Sequence, residues 1–354
     1  MRVWDAIVVG AGVVGLLTAI ELASRGVEVL VVEAERPGGG ASSRNAGVLH
    51  VVQPPPGRLR RRLAYEGLKL YPRLLEDLGV EHVETELIIP AYTRVQEALT
   101  PILAASIKAL AAHSKPKIER GRDVLRREPA LRPGVRRAVV VGGYITLDPE
   151  ELVSRLADKA VEMGVGIARG RVETIACRNG QVEVIADRLG TLEARVLVNT
   201  AGAGAAELAR QMGLGVEVKL AAGAMTLHRR LGVSSIVSWF PSRGVRETKG
   251  GAVIPWPGGR VILGPTFSKP GQPPHSPEEV VSRYSGLLNV EPPSPERYIV
   301  GYRTMASKRD FILARDERCG LTIHALGIES PGLTAAPALA RRLASMALSV
   351  LKDL

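Results

Sequence analysis

The chain has 354 residues, 47 Lys and Arg against 36 Asp and Glu, and a net charge of +11. Hydrophobic residues at 45% and charged ones at 23% exclude a disordered chain, and the length fits two domains, discontinuous ones included. The positive charge would suit nucleic acid, an anionic membrane surface or a small acidic ligand; with aromatics at 4%, the stacking residues of a nucleic-acid groove are missing and no nucleic-acid partner is expected.

In chain order, Asp5 to Val9 is an apolar run that ends on glycine, as a buried parallel strand does. Val13 to Ser24 has helical spacing and stops at Gly26, and Val27 to Glu33 is a second strand. Together they make one βαβ unit. Gly38 to Gly47 is too rich in Gly and Ser for regular structure and reads as an extended loop. Leu59 to Leu78 is helical, with Arg58 to Arg62 read as the exposed face of its start, and Glu97 to Ala112 is another helix. Val139 to Leu147 is a β run. Asp148 then caps a helix with Pro149 at its first position and acids in its first turn. Asn179-Gly180 turns a hairpin between Val172 and Ala186. Val196 to Gly202 repeats the strand-then-glycine logic of the N-terminus, and Val216 to Tyr302 reads as the antiparallel sheet of a second domain. Leu321 to Leu326 is a last strand, followed by a helix from about Thr334 to Leu351. The stripe Leu339, Leu343, Met346 and Val350 packs that helix on the first sheet in preference to serving as a docking surface.

Two cysteines, Cys177 and Cys319, stand far apart with no CxxC spacing. They cannot supply a four-thiolate cluster or a structural zinc site, so no metal is expected. They read as a buried thiol pair or as unrelated core cysteines in a reducing cytoplasm. The N-terminus lacks the charged flank and cleavage site of a signal peptide, and no apolar stretch reaches the length of a membrane span. The expected location is the cytoplasm, with peripheral attachment to the inner face of the membrane as the alternative.

The strongest chemical signal is Gly10-Ala11-Gly12-Val13-Val14-Gly15, placed between a strand and a helix and followed 18 residues after Gly15 by Glu33. The glycines permit a tight turn, close approach of a pyrophosphate and close helix packing, and the helix N-terminus favours the anion. Glu33 would accept from an adenosine ribose, which suits FAD or NAD and disfavours a 2′-phosphate. Ser42, Ser43, Arg44 and Asn45 offer hydroxyl, cationic and amide donors where the longer FAD would pass; a solvated surface loop is the plain alternative. At Gly327 to Thr334 a strand ends, the chain turns on glycines, and a helix begins whose amides could stabilise charge near flavin N1.

The runs SSRNAGVLH (Ser42 to His50), PPGRLRRRLAYEG (Pro55 to Gly67), REPAL (Arg127 to Leu131), LVNTAG (Leu197 to Gly202), GRVILGPT (Gly259 to Thr266) and GIESPGLTAAPALA (Gly327 to Ala340) resemble the FAD-dependent L-2-hydroxyglutarate oxidases and the related glycerol-3-phosphate dehydrogenases. Both are branches of the D-amino-acid-oxidase-like superfamily, and the likeness covers nearly the whole chain. It implies an α/β FAD-binding Rossmann-like domain of the GR2 type over 1–85, 145–215 and 303–354. An α+β substrate domain with an antiparallel sheet would take 86–144 and 216–302. FAD would be held non-covalently by Gly10, Gly12, Val14, Gly15, Glu33, Ala34, Ser42, Ser43, Arg44, Asn45, Gly47, Val172, Ala201, Gly202, Gly327, Gly332, Leu333 and Thr334.

By the same resemblance His50 ends the loop beneath the isoalloxazine and faces flavin or substrate, and Arg303 is directed at the substrate's anionic group. Lys308 and Arg309 are second candidates for that anion. The implied reaction removes a hydride from a small anionic 2-hydroxy acid, of L-2-hydroxyglutarate or L-lactate type, to flavin N5. Oxidation of glycerol 3-phosphate or of glycine or sarcosine is the nearest alternative, and an electron-transfer or binding flavoprotein without its own substrate is the alternative of another class. The electron acceptor is left open among quinone, carrier protein and oxygen. The chain departs from the family at Ala252, where a histidine base is usual, and at Gln53, where a tyrosine often stands.

Overall fold

A computed structural model describes residues 2–52, 58–111, 113–241, 251–306 and 310–353. The N-terminal unit forms as its apolar pattern requires: β1 (Val3–Val9), α1 (Val13–Ala23) and β2 (Val29–Glu33). Ala6, Ile7, Val8, Leu16, Leu22 and Val31 in these elements are fully buried. Each large aliphatic side chain among them is worth about 2 kcal/mol of transfer free energy. Then follow β3 (Val48–Leu49), α2 (Arg58–Leu78), β4 (His82–Ala91), α3 (Arg94–Leu110), β5 (Lys117–Arg120), α4 (Gly121–Arg127) and β6 (Arg137–Leu147).

The Asp148 carboxylate accepts from the Glu150 N–H at 2.9 Å and starts α5 (Pro149–Glu162), as its sequence pattern predicts. After β7 (Gly166–Arg169), β8 (Val172–Arg178) and β9 (Gln181–Ala186) form the hairpin, with Asn179 and Gly180 both at positive φ (50° and 74°). Two left-handed residues in succession give a turn whose twist matches that of the strands. The chain continues through β10 (Gly190–Asn199), α6 (Ala205–Gln211), β11 (Val218–Arg229), β12 (Ile236–Ser238), β13 (Ala252–Trp256), β14 (Arg260–Phe267), α7 (Pro277–Ser285) and β15 (Arg297–Ala306). It ends with β16 (Ile312–Arg315), β17 (Thr322–Leu326) and α8 (Gly332–Lys352).

Among the described residues these strands form two sheets. The first runs β16-β17-β10-β1-β2-β7, with the β8–β9 hairpin joined through β9 to β10. Its centre is parallel: Val8 lies between Val198 and Val31. The helices α1, α2, α5 and α8 cover it, and the α8 stripe Leu339, Leu343 and Val350 is buried in their common core. Crossing of α2 over α8 is close because Gly67 has no side chain; a Cβ there would lie 2.2 Å from the Thr334 carbonyl oxygen.

The second sheet runs β15-β11-β14-β13-β12-β4-β6-β3, with β5 on β6. It is antiparallel except at one junction: β12 pairs parallel with β4, Val237 against Ile88. The expected antiparallel sheet is thus present with one parallel junction, because β12 reaches β4 across a long excursion of chain and a hairpin does not set its direction. The expected boundaries at 85/86, 144/145 and 302/303 fall inside β4, β6 and β15, each of which lies whole in the second sheet.

The cysteine expectation is also corrected. Cys177 and Cys319 are joined in a disulfide across a sequence separation of 142, both half-buried against the core of the first sheet. The bond ties β8 to the turn between β16 and β17. No helix among the described residues is long and apolar enough to cross a membrane.

Candidate active site

The glycine loop sits where β1 gives way to α1. Gly10 has φ +99°, and a Cβ there would meet the Thr200 carbonyl oxygen at 2.8 Å. At Gly15 the Cβ would lie 1.9 Å from the Gly10 carbonyl oxygen and 2.7 Å from Thr200 Oγ1, so only glycine lets α1 start this close to β1. The Ser42 hydroxyl fills the position over Gly12 and accepts from the Val13 N–H at 3.0 Å. No acidic residue stands in the first turn of α1, and Gly12 contributes no side-chain cap. A glycine cradle at an acid-free helix N-terminus, with the neutral Ser42 hydroxyl beside it, fits a pyrophosphate. Val14 lies in the first turn of that helix.

The Glu33 carboxylate accepts from the Ala11 N–H at 2.7 Å and from the Glu35 N–H at 2.9 Å, fixing the chain on both sides of Ala34. A carboxylate has about four acceptor positions, which leaves capacity for a ribose. The Gly170 N–H donates to the Glu33 carbonyl at 2.8 Å and brings the corner before Val172 to this end of β2. Ala201 lies against Gly10, its Cα 3.2 Å from where a Gly10 Cβ would be, and Gly202 follows at φ +57°.

The loop from Ser42 to His50 is held largely by itself. Asn45 Nδ2 donates to the Ser42 carbonyl at 2.7 Å while its Oδ1 accepts from the Gly47 N–H at 2.9 Å. Gly47 (φ +68°) packs on Leu147, whose carbonyl oxygen would be 1.8 Å from a Cβ. The Ser43 hydroxyl is buried against Gly38 without a hydrogen-bond partner among the described residues. Arg44 is exposed, and its backbone packs on Gly301 of β15.

Segments far apart in sequence meet at His50. Its N–H donates to Thr334 Oγ1 at 3.0 Å, across 284 residues, at the start of α8. Tyr71 of α2 donates to the Leu333 carbonyl at 2.6 Å, so the turn from Gly327 (φ +65°) through Gly332 is pinned to the loop on one side and to α2 on the other. The His50 ring stands edge-on to Tyr144 at 6.3 Å. Burial, reinforced by the charge of Arg303, lowers its pKa from 6.5 to about 4, so the imidazole is neutral at pH 7. Arg303 reaches over from β15: its guanidinium lies 3.9 Å from the Phe267 ring, Nη2 donates to Ser330 Oγ at 3.3 Å, and Nη1 is 3.7 Å from Glu329 Oε2.

Beneath this group lies a charge pair that the sequence pattern does not announce. Arg60, taken with its neighbours for an exposed face, is buried, and its Nη1 lies 3.3 Å from Glu329 Oε1. The signal was present in the helical period: Arg60, Leu63, Ala64, Gly67, Tyr71 and Leu75 form the buried stripe of α2. Asp310 holds that turn, accepting from the N–H groups of Leu59 at 3.1 Å and Arg60 at 2.9 Å. Ala252, where the resemblance leads to a histidine, is buried on β13 opposite Gly264. Gln53, Lys308 and Arg309 lie outside the described residues.

A family model described as FAD dependent oxidoreductase (DAO) matches residues 5–346. A glycerol 3-phosphate dehydrogenase of Caloramator mitchellensis is 24% identical over 95% of this chain and 72% of its own. The mitochondrial L-2-hydroxyglutarate dehydrogenase of Arabidopsis thaliana is 33% identical over a shorter stretch, 36% of this chain and 27% of that enzyme. In overall shape the chain is similar to the FAD-bound, dithionite-reduced L-alpha-glycerophosphate oxidase of Mycoplasma pneumoniae, with a TM-score of 0.86, 22% identity, and coverage of 99% of this chain and 95% of that one. With the family model spanning all but the ends of the chain and the glycine cradle built for a dinucleotide, this protein belongs to the DAO family of FAD-dependent oxidoreductases.

Proposed function

We propose that the enzyme oxidises the hydroxyl-bearing carbon of a small anionic 2-hydroxy acid of the L-lactate or L-2-hydroxyglutarate type. The observation that carries this reading is a neutral imidazole beside a guanidinium: His50 holds a pKa of about 4 within the electrostatic reach of Arg303. An unprotonated His50 can accept the hydroxyl proton, and it keeps that form throughout the neutral range. Arg303 offers a planar fork to a carboxylate, with its plane set by Phe267 and Ser330. FAD, when bound, supplies the acceptor for the hydride. The residues of this chain would fix the carboxylate, draw off the hydroxyl proton and hold the C–H bond in one orientation, which is where most of the rate advantage of a positioned substrate arises. An amine arriving unprotonated needs no base at this place, so His50 supports a hydroxyl substrate over an amine.

Glycerol 3-phosphate is the second reading, supported by the relative of that name that matches 95% of the chain. Anaerobic titration of the holoenzyme with L-lactate, L-2-hydroxyglutarate, glycerol 3-phosphate, glycine and sarcosine separates them. Bleaching of the flavin by a hydroxy acid is expected; bleaching by glycine or sarcosine alone would overturn the proposal. An enzyme of this family also needs an electron acceptor, and reoxidation in air against reoxidation by a soluble quinone distinguishes the classes.

A further inference from the structure

Arg60, Glu329 and Arg303 form a charged cluster in which the side chains are 8%, 12% and 22% exposed. The Glu329 carboxylate lies between the two guanidiniums, one oxygen toward each. Among the described residues two guanidiniums face this one carboxylate, the Asp310 carboxylate being taken up by the backbone N–H groups of Leu59 and Arg60, which leaves a surplus of one positive charge to which the neutral His50 adds none. A charge held away from water with no full counterpart is costly, and a fold retains one where a ligand completes it. Arg60 cannot escape to solvent, because Asp310 anchors its backbone and Leu63 and Ala64 bury the same face of α2. Its Nε has no hydrogen-bond partner among the described residues. Nor does Arg60 fit a direct role as substrate anchor, since Glu329 stands between it and Arg303.

We propose that Glu329, held by buried Arg60, is the resident counter-anion of the substrate site: it sets the charge facing the ligand's anchored group to a single positive and so selects a singly charged carboxylate group over a doubly charged group such as a sulfate or phosphate. Arg60 and Glu329 are positioning residues, acting through Arg303. The inference rests on Arg303 being the anion anchor. It also gives the Arg58 to Arg62 run a function beyond solubility, since one member of the run faces inward to fix the charge of the site.

The test uses the FAD-loaded enzyme and two anions that cannot be oxidised, acetate and sulfate, with dissociation constants read from the perturbation of the flavin spectrum. Wild type should bind acetate more tightly than sulfate. Glu329→Gln keeps the shape and removes the charge, so sulfate should tighten by about tenfold or more, the scale of a close desolvated charge pair, while acetate changes less. Arg60→Gln should do the opposite and weaken both anions, sulfate most; it decides the matter if Glu329→Gln does not fold. Arg60→Lys should restore part of the binding. A purely structural role would alter flavin content or melting temperature without moving the acetate-to-sulfate ratio.

If Arg303→Met abolishes acetate binding while neither charge variant moves the ratio, the anchor stands and the counter-anion proposal falls. If Arg303→Met binds acetate as wild type does, the anchor itself is wrong and this proposal falls with it.

Discussion

Replacing Gly15 by Ala should cripple FAD binding while the same change at Gly40 is silent. The Gly15 Cβ would be placed 1.9 Å from the Gly10 carbonyl oxygen and 3.1 Å from its carbon, with Thr200 Oγ1 at 2.7 Å on the other side. Two of these three atoms are backbone, and the Thr200 hydroxyl is itself committed to the Val9 carbonyl at 2.8 Å. Relief therefore requires α1 to move away from β1, and those elements share the core of Ile7, Leu16 and Val31. Overpacking a well-filled site costs about 1–3 kcal/mol, and a clash with backbone belongs at the upper end. A shift of α1 also moves the helix N-terminus from its ligand. If roughly 3 kcal/mol appears in binding, affinity falls by about two orders of magnitude. At Gly12 the new Cβ would meet only the end of the Ser42 side chain, at 2.8 Å, so the intermediate case should show a smaller loss. Gly40 has nothing within 4 Å, and its Ala variant should stay within about 0.5 kcal/mol of wild type. FAD titration followed by fluorescence quenching, with thermal melting of the apoprotein alongside, gives both quantities. Equal FAD affinity in the Gly15→Ala and Gly40→Ala proteins would refute the reasoning.

Arg303→Lys keeps the charge and loses the fork, so KM for the anionic substrate should rise by about tenfold or more with a smaller change in kcat; unchanged steady-state kinetics would remove Arg303 from the site. The lowered pKa of His50 has a defined sign: the unfolded histidine takes up its proton near pH 6.5 and the folded one near 4, so stability is full above pH 6.5 and is lost as pH falls toward 4. That loss is at most roughly 3 kcal/mol for this residue, from about 1.4 kcal/mol per unit. It is measurable as urea unfolding against pH, and a His50→Asn variant should flatten that part of the profile. His324, buried and likewise lowered to about 4, adds a decline of the same sign. Breaking the Cys177–Cys319 bond with Cys177→Ser should lower stability by up to about 5 kcal/mol on the chain-entropy model for a separation of 142, and thiol titration of the unreduced, denatured wild type should find no free cysteine.

Local chemistry made much of the first domain legible. Gly10, Gly12 and Gly15 stood between a strand and a helix, Asp148 and Pro149 announced a helix start, and Asn179-Gly180 could hardly be anything but a tight hairpin turn. These signals act over a few residues, so sequence order carries them. What escaped depends on partners brought together by the fold. The thiols of Cys177 and Cys319 meet only because β10 and β17 are neighbours, with β9 returning along β10 to place β8 near the β16–β17 turn. The parallel pairing of β12 with β4 joins residues nearly half a chain apart, and nothing local in Ile236 to Ser238 sets its direction. Arg60 was hidden by its neighbours Arg58, Arg61 and Arg62, since a run of like charge suggests a solvated face even where the helical period puts one member inside. Glu329 was visible within GIESPGLT, but its partners Arg60 and Arg303 lie on α2 and β15. Ala252, where the resemblance leads to a histidine, is buried on β13, and the base of the proposed reaction is His50.

The measurement closest to the central claim is the anaerobic rate of flavin reduction by the hydroxy acid that bleaches wild type, compared with the same rate in His50→Asn. If the neutral imidazole takes the hydroxyl proton, the variant should retain FAD and bind the substrate, as seen in a perturbed flavin spectrum, and reduce at least about 100-fold more slowly. Reduction of the variant's flavin at the wild-type rate would contradict the account.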